Sequence, residues 1–260
     1  MTVFDIRNKV RAATQAVHEQ LESGIPINIA VQRMVERSPD GPRRLQTDPE
    51  MQRALHDYGL YLLANLVSER LFELVIDHTP GGRQMFSRLG IAPETPPASE
   101  RIRLDLADLG WKNIDARISR LPVTELALDN IMALAGAQYV RSGSRMGGVM
   151  ISAIVRKNFG FDSSRGARFL NMHGSGTQSY FRSFLQGFEA LPQSDADVQK
   201  AIAGANAAFQ AVLDIQGEAH QRLNPAILPL RILENLANSR VASVLRRLLV
   251  EAERDPPGKH

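Results

Sequence analysis

Residues 139–151 read YVRSGSRMGGVMI, and the way this stretch folds decides the architecture. Apolar residues on both sides keep a helical spacing, so it falls inside a helix expected over about 124–158. Yet it holds Gly143, Gly147 and Gly148. Each interior glycine costs a helix about 1 kcal/mol relative to alanine, so the three together cost about 3 kcal/mol unless the missing side chains are needed. Two readings stay open on these residues alone. Gly143 and Gly147 form a small-xxx-small pair suited to close helix packing, or a flat ligand lies directly against bare backbone.

Working outward, the periodicity is helical almost throughout. Residues 3–22 place Ile6, Val10, Ala13, Val17 and Leu21 on one stripe. TDPE at 47–50 offers a capping residue, a first-turn proline and a capping-box glutamate to a second helix. That helix runs through Met51, Leu55, Tyr58, Leu62, Leu63, Leu66 and Phe72 to Val75, and TPGG at 79–82 stops it. A linker, GIAPETPPASE (90–100), leads to a short helix, SERIRLDLADLG, ending at Gly110. Further helices fit 177–190, 194–222 and 227–252, and DPPGKH is a loose tail. Residues 24–46 are rich in Pro, Gly and Arg and suit a loop with room for one short helix. No alternating strand pattern, repeat or low-complexity tract occurs. The expectation is an all-α single domain of about eight helices over 1–222, with a C-terminal helical extension, 223–260, packed on it.

Composition narrows the function. The 260 residues are 43% hydrophobic and 23% charged, a globular balance. No apolar run approaches ~18 residues, so no membrane-spanning helix is expected. MTVFDIRNKV lacks the apolar core of a signal peptide, and a cytoplasmic location follows as an expectation. With no cysteine, thiolate catalysis, zinc–thiolate sites and iron–sulfur clusters are excluded. The six histidines, His18, His56, His78, His173, His220 and His260, form no local chelating pair. A net charge of +3, scattered arginines, one Trp and four Tyr do not describe a nucleic-acid binder. Scattered arginines suit small carboxylates better.

Two further stretches hold candidate residues. RAATQAVHEQLE (11–22) contains His18 on the flank of its helix, beside Thr14 and Ile25, which suits a structural histidine or a ligand. GTQSYFRSF (176–184) puts Arg182 on a face with Gln178, Ser179 and Phe188, where a surface ion pair is the ordinary fate of an arginine. HGSGT (173–177) follows no strand and has no lysine partner, so it is not a phosphate loop, and His173 is expected to be a loop residue.

Taken in order, these stretches resemble the heme oxygenase family, particularly its bacterial members. AATQAVHEQLE is similar to the helix that supplies the proximal heme ligand, which makes His18 the axial ligand to heme iron, with Thr14 and Glu22 one turn to either side. YVRSGSRMGG resembles the glycine-rich distal helix, so Gly143, Ser144, Gly147 and Gly148 would face the heme and its oxygen. YFRSFLQGFEAL resembles the helix whose arginine meets a propionate, here Arg182. AAFQAVLDIQ resembles the helix whose Phe walls the pocket, here Phe209, and Arg11 matches a basic position near the heme edge. IRLDLADLG is a further match between them.

The resemblance implies an enzyme that cleaves protoheme to biliverdin, ferrous iron and carbon monoxide. Heme is then substrate and cofactor, O2 the oxidant, and a ferredoxin or reductase the external electron donor, since no flavin or dinucleotide fingerprint is present. Neutral His18 would hold the iron while Glu22 orients its ring. Two departures stand out. Ser144 occupies the place of an Asp that organises proton delivery in the best-known members, and Gln178 replaces a second basic residue near the propionates. The segments 24–46 and beyond about 222 exceed the usual family length and could mediate homodimer formation or reductase docking, or simply cover apolar surface. The alternative implied by Ser144 is a heme- or bilin-binding protein that has lost turnover. A non-heme di-iron oxidase on the same fold is a further alternative, but the histidines here do not pair with acidic residues at metal-binding spacings.

Overall fold

The computed structural model describes residues 5–24, 49–119, 121, 126–192 and 194–223. Eight α-helices occur among them: α1 (Ile6–Gly24), α2 (Pro49–His78), α3 (Gly82–Arg88), α4 (Ala98–Asp108), α5 (Ile114–Ile118), α6 (Ile131–Phe159), α7 (Thr177–Ala190) and α8 (Asp195–Leu223). A single 3-10 turn, Gly174–Gly176, leads into α7, and no strand forms among the described residues. Met1–His220 makes one compact unit and Gln221–His260 a second. The loop expected over 24–46, beyond Gly24, and the extension expected over 223–260, beyond Leu223, lie outside the described residues.

The 3.6-residue period accounts for which faces are buried. On α1 the buried row is Ile6, Val10 and Thr14, with Val17 half-buried behind them. Ala13, expected on this row, is exposed. Thr14 takes the inward place because its hydroxyl donates to the Val10 carbonyl at 2.9 Å, so its polar atom is satisfied within the helix. α2 is buried nearly all round, through Tyr58, Leu60, Leu62, Leu63, Leu66 and Phe72, as befits a helix enclosed by others. It ends where expected, with the Thr79 hydroxyl donating to the carbonyls of Val75 (2.7 Å) and Leu128 (2.9 Å). Gly81 then turns at φ 76°.

α6 starts later than the periodicity suggests. Residues 126–129 are non-helical, and Asn130 caps α6 by accepting from the amides of Met132 (3.0 Å) and Ala133 (2.9 Å). At its other end Gly160 takes the left-handed conformation at φ 71°. α6 and α8 cross with their backbones in contact. A Cβ on Gly136 would stand 1.9 Å from the Ala201 carbonyl oxygen, and one on Gly204 would stand 1.9 Å from that of Ala133. The core fills in around this crossing with Ala133, Ala137, Val140, Phe184, Phe188, Ala205, Ala208 and Phe209. A fully buried Asp105 on α4 pins the segment after α6 by accepting from the amides of Arg168 (3.0 Å) and Phe169 (2.9 Å).

Candidate functional site

The exposed or half-buried side of α6 is where its glycines separate by role. A Cβ on Gly143 or on Gly147 would meet no atom of the described residues within 4 Å, whereas one on Gly148 would lie 3.0 Å from the Leu170 carbonyl oxygen. Gly148 is therefore a packing glycine. Gly143 and Gly147 make no such contact with the described residues. At about 100° per residue, Tyr139, Gly143 and Gly147 follow one line along α6. The line begins with an aromatic ring and continues as bare backbone.

Tyr139 was not singled out in the sequence, although its place four residues before Gly143 is a signal for it. Its ring stacks on Phe188 with centroids 5.6 Å apart. Burial raises the pKa of its hydroxyl, and the positive charges of Arg11 and then Arg7 pull it back. Arg11 on α1 thus lies close enough to act on the Tyr139 end of the glycine line. Arg11 and His18 are two helical turns apart on α1, so they share a face.

His18 is exposed on the flank of α1, and its ring meets that of Phe209 on α8 edge-on, with centroids 5.6 Å apart and planes at 85°. Two residues that the sequence placed in one pocket are therefore neighbours. Arg182 is exposed on α7, a helix that packs against α1, and no hydrogen bond or ion pair among the described residues joins it to Arg11 or His18. Glu22 lies in α1, but its side chain is outside the described residues. Ser144 is exposed and donates its hydroxyl to the Arg141 carbonyl at 2.7 Å. Its proton is committed to the helix, and its lone pairs remain available as acceptors.

Behind the glycines lies a feature the sequence did not disclose. Arg141 and Arg145 leave α6 on the side about 120–160° from Gly143 and Gly147. Both reach Glu69 of α2 and Glu94 of the segment before α4. Arg141 Nε donates to Glu69 Oε2 at 2.7 Å and its Nη2 to Glu94 Oε2 at 2.5 Å. Arg145 Nη2 donates to Glu69 Oε1 at 2.9 Å and its Nε to Glu94 Oε1 at 3.1 Å. All four side chains are 4% exposed, so this is a closed, electrically neutral ring in the interior. Burial pushes the Glu94 pKa up, but Arg145 and Arg141, with His173, outweigh it and hold the carboxyl well below its ordinary range. The Arg145 guanidinium also lies over the Phe169 ring at 4.9 Å. His173, expected only as a loop residue, stacks on Tyr180 at 4.0 Å and brings Nε2 to 3.6 Å from Glu94 Oε1.

No group of three or more His, Asp or Glu side chains among the described residues is placed to hold a bare metal ion. None of the described helices is long and apolar enough to cross a membrane.

Comparison with known proteins points one way. Residues 113–216 match the family model described as heme oxygenase. That span takes in Gly143, Ser144, Gly147, Gly148, Arg182 and Phe209, and leaves out Arg11, Thr14, His18 and Glu22. Among solved structures, the NO- and CO-bound heme oxygenase from Neisseria meningitidis is similar, with 19% sequence identity and a TM-score of 0.56. The alignment covers 82% of this chain and 91% of that one. No curated protein matches the chain. The fold is thus the all-α heme oxygenase fold, and the resemblance expected from the sequence is borne out.

Proposed function

We propose that this chain, heme oxygenase-like in the sequence of residues 113–216 and in its fold, binds heme against α1 and α6 and opens the macrocycle to biliverdin. The observation that carries this reading is the face of α6 at Gly143 and Gly147, bare of contacts with the described residues and in line with Tyr139, whose hydroxyl feels the charge of Arg11. Heme is flat and apolar over its faces and carries two carboxylates on one edge. A strip of backbone without side chains, ending at a hydroxyl and a guanidinium, matches both properties. His18 adds an imidazole on the helix that carries Arg11, and imidazole is a common protein ligand of heme iron. The residues present fit the group.

When bound, heme is both substrate and cofactor, and its iron supplies the redox chemistry by which O2 attacks the ring. The chain itself binds, orients and shields. His18 holds the iron through one ring nitrogen, and the Phe209 edge limits rotation of the imidazole. Arg11, Tyr139 and Arg182 take the carboxylates and so fix the rotation of the disc in its plane. Gly143 and Gly147 would let the helix backbone approach a face of the macrocycle closely. Ser144, its proton held by the Arg141 carbonyl, offers lone pairs that orient a water near that face. Electrons would come from an external ferredoxin or reductase, and the products would be the bilin, ferrous iron and carbon monoxide. A second reading, a heme- or bilin-binding protein without turnover, is favoured by the engagement of Ser144 with its own helix.

Titration of the purified protein with hemin, then reductant and O2, tests these readings. The expected results are a Soret band from an imidazole-bound heme, its alteration in His18→Ala, and bilin absorbance after reduction. Absence of hemin binding by the wild type refutes the heme site. An unchanged spectrum in His18→Ala refutes the ligand, and binding without bilin selects the second reading.

A further inference from the structure

At Gly143 and Gly147 the face of α6 takes no packing from the described residues, since a Cβ at either position would meet none of their atoms within 4 Å. Besides the crossing with α8 at Gly136, this part of α6 is oriented from its other side. There the helix is held by Arg141 and Arg145, each bonded to both Glu69 and Glu94. Apolar contacts position a helix through shape complementarity, as at the Gly136 and Gly204 crossing, although each contact is weak by itself. The charged hydrogen bonds of the ring add a directional hold. Each guanidinium presents a rigid planar fork, and each carboxylate uses both oxygens, so rotation or sliding of α6 breaks several bonds together. The cost of that rigidity is desolvation of four charges, which well-packed apolar residues of similar volume avoid.

Building on the heme reading above, we propose that Arg141, Arg145, Glu69 and Glu94 are positioning residues. They set the rotation of α6 about its axis, and thereby which edge of the bound macrocycle lies under Gly143 and Gly147. The geometry makes the device sensitive. With Cα atoms about 2.3 Å from the helix axis, a 20° rotation moves a glycine Cα by about 0.8 Å. A misplacement of about 1 Å at a reacting centre costs on the order of 100-fold in rate. The ring therefore governs the isomer of bilin formed more than the strength of heme binding.

The test rests on charge balance. Replacing the whole ring, E69Q/E94Q/R141M/R145M, leaves no unpaired charge, and removing half of it, E94Q/R145M, leaves Arg141 on Glu69. Two readouts are taken. Amide hydrogen exchange of 143–148 in the heme-free protein reports the holding of α6 without any appeal to turnover, and chromatography of the bilin reports the ring carbon attacked. Exchange over 143–148 is expected to rise about tenfold or more while α2 and α4 keep wild-type protection. The ratio of bilin isomers is expected to shift about tenfold in the same variants. Unchanged exchange and isomer ratio in a folded variant overturn the proposal, as does a rise in exchange spread evenly over all helices. Should the fourfold variant fail to fold, E94Q/R145M decides by the same criteria. A wild type that binds no hemin refutes the heme reading, while the exchange result still judges the positioning role.

Discussion

Replacing Gly143 and Gly147 together by alanine separates the demands of folding from those of the ligand. Both residues sit inside α6 with ordinary helical backbone, and a Cβ at either meets no atom of the described residues within 4 Å. None of the described residues therefore opposes the substitution, and helix propensity favours it by about 1 kcal/mol at each position. The heme-free double variant is expected to be about 2 kcal/mol more stable, which for a chain of this size raises Tm by roughly 4–8 °C. The ligand meets the opposite outcome. Two methyl groups stand between the backbone and a flat molecule, and overpacking of about 1–3 kcal/mol weakens hemin binding roughly 5- to 150-fold. Thermal denaturation of the heme-free protein and a hemin titration read the two halves. Gly148→Ala is the internal control, because its Cβ would press on the Leu170 carbonyl at 3.0 Å and no gain in Tm is expected. Lack of stabilisation in the double variant refutes the open face. Wild-type hemin affinity in a stabilised variant refutes a ligand lying there.

Other expectations follow from the same geometry. Gly136→Val drives a side chain into the Ala201 carbonyl at the α6–α8 crossing and is expected to cost 3 kcal/mol or more, of order a large overpacking penalty, measured by urea denaturation. Glu94 has its pKa lowered by folding, so its ionised form stabilises the protein above the ordinary value of 4.5, and that contribution is lost as pH falls toward the folded value. Glu94→Gln alone should thus cost about 3–5 kcal/mol near neutrality, as for a broken buried ion pair, and the gap to wild type should narrow below about pH 4.5. A gap that stays constant down to pH 3 contradicts the assignment. Tyr58→Phe removes the donor to the Gly166 carbonyl at 2.7 Å and leaves that oxygen buried, a loss of about 1–3 kcal/mol in chemical denaturation.

The helices were legible because their apolar positions repeat every three to four residues, and α2, α7 and α8 fall close to where that spacing puts them. The errors have physical causes. Ala13 looked buried because alanine is apolar, but a self-bonded Thr14 serves the inward row better. The expected start of α6 at about 124 is too early because residues 126–129 are non-helical and Asn130 caps the helix, a signal that apolar spacing does not carry. The small-residue pair at Gly143 and Gly147 suggested a helix contact, yet among the described residues the contact lies elsewhere. It joins Gly136 and Gly204, each inside an Ala-Gly-Ala triplet, LAGAQ (134–138) and IAGAN (202–206), and that echo was readable. The ion ring was not readable. An i, i+4 arginine pair is visible in the sequence, but its partners come from two other segments, and charge pairing across a fold leaves no local pattern.

The ring also has a consequence for the order of events in folding. Its four bonds join residues 72, 47, 76 and 51 positions apart. Until α2, the segment before α4 and α6 have all met, each charge keeps its hydration shell, and no partial ring repays the loss of it. Closure is therefore expected after the rate-limiting barrier, so that ring variants speed unfolding and leave the folding rate unchanged in stopped-flow measurements. Interactions made there leave the folding rate alone and slow the reverse reaction. The protein is thus guarded against unfolding by the residues that contribute least to its collapse.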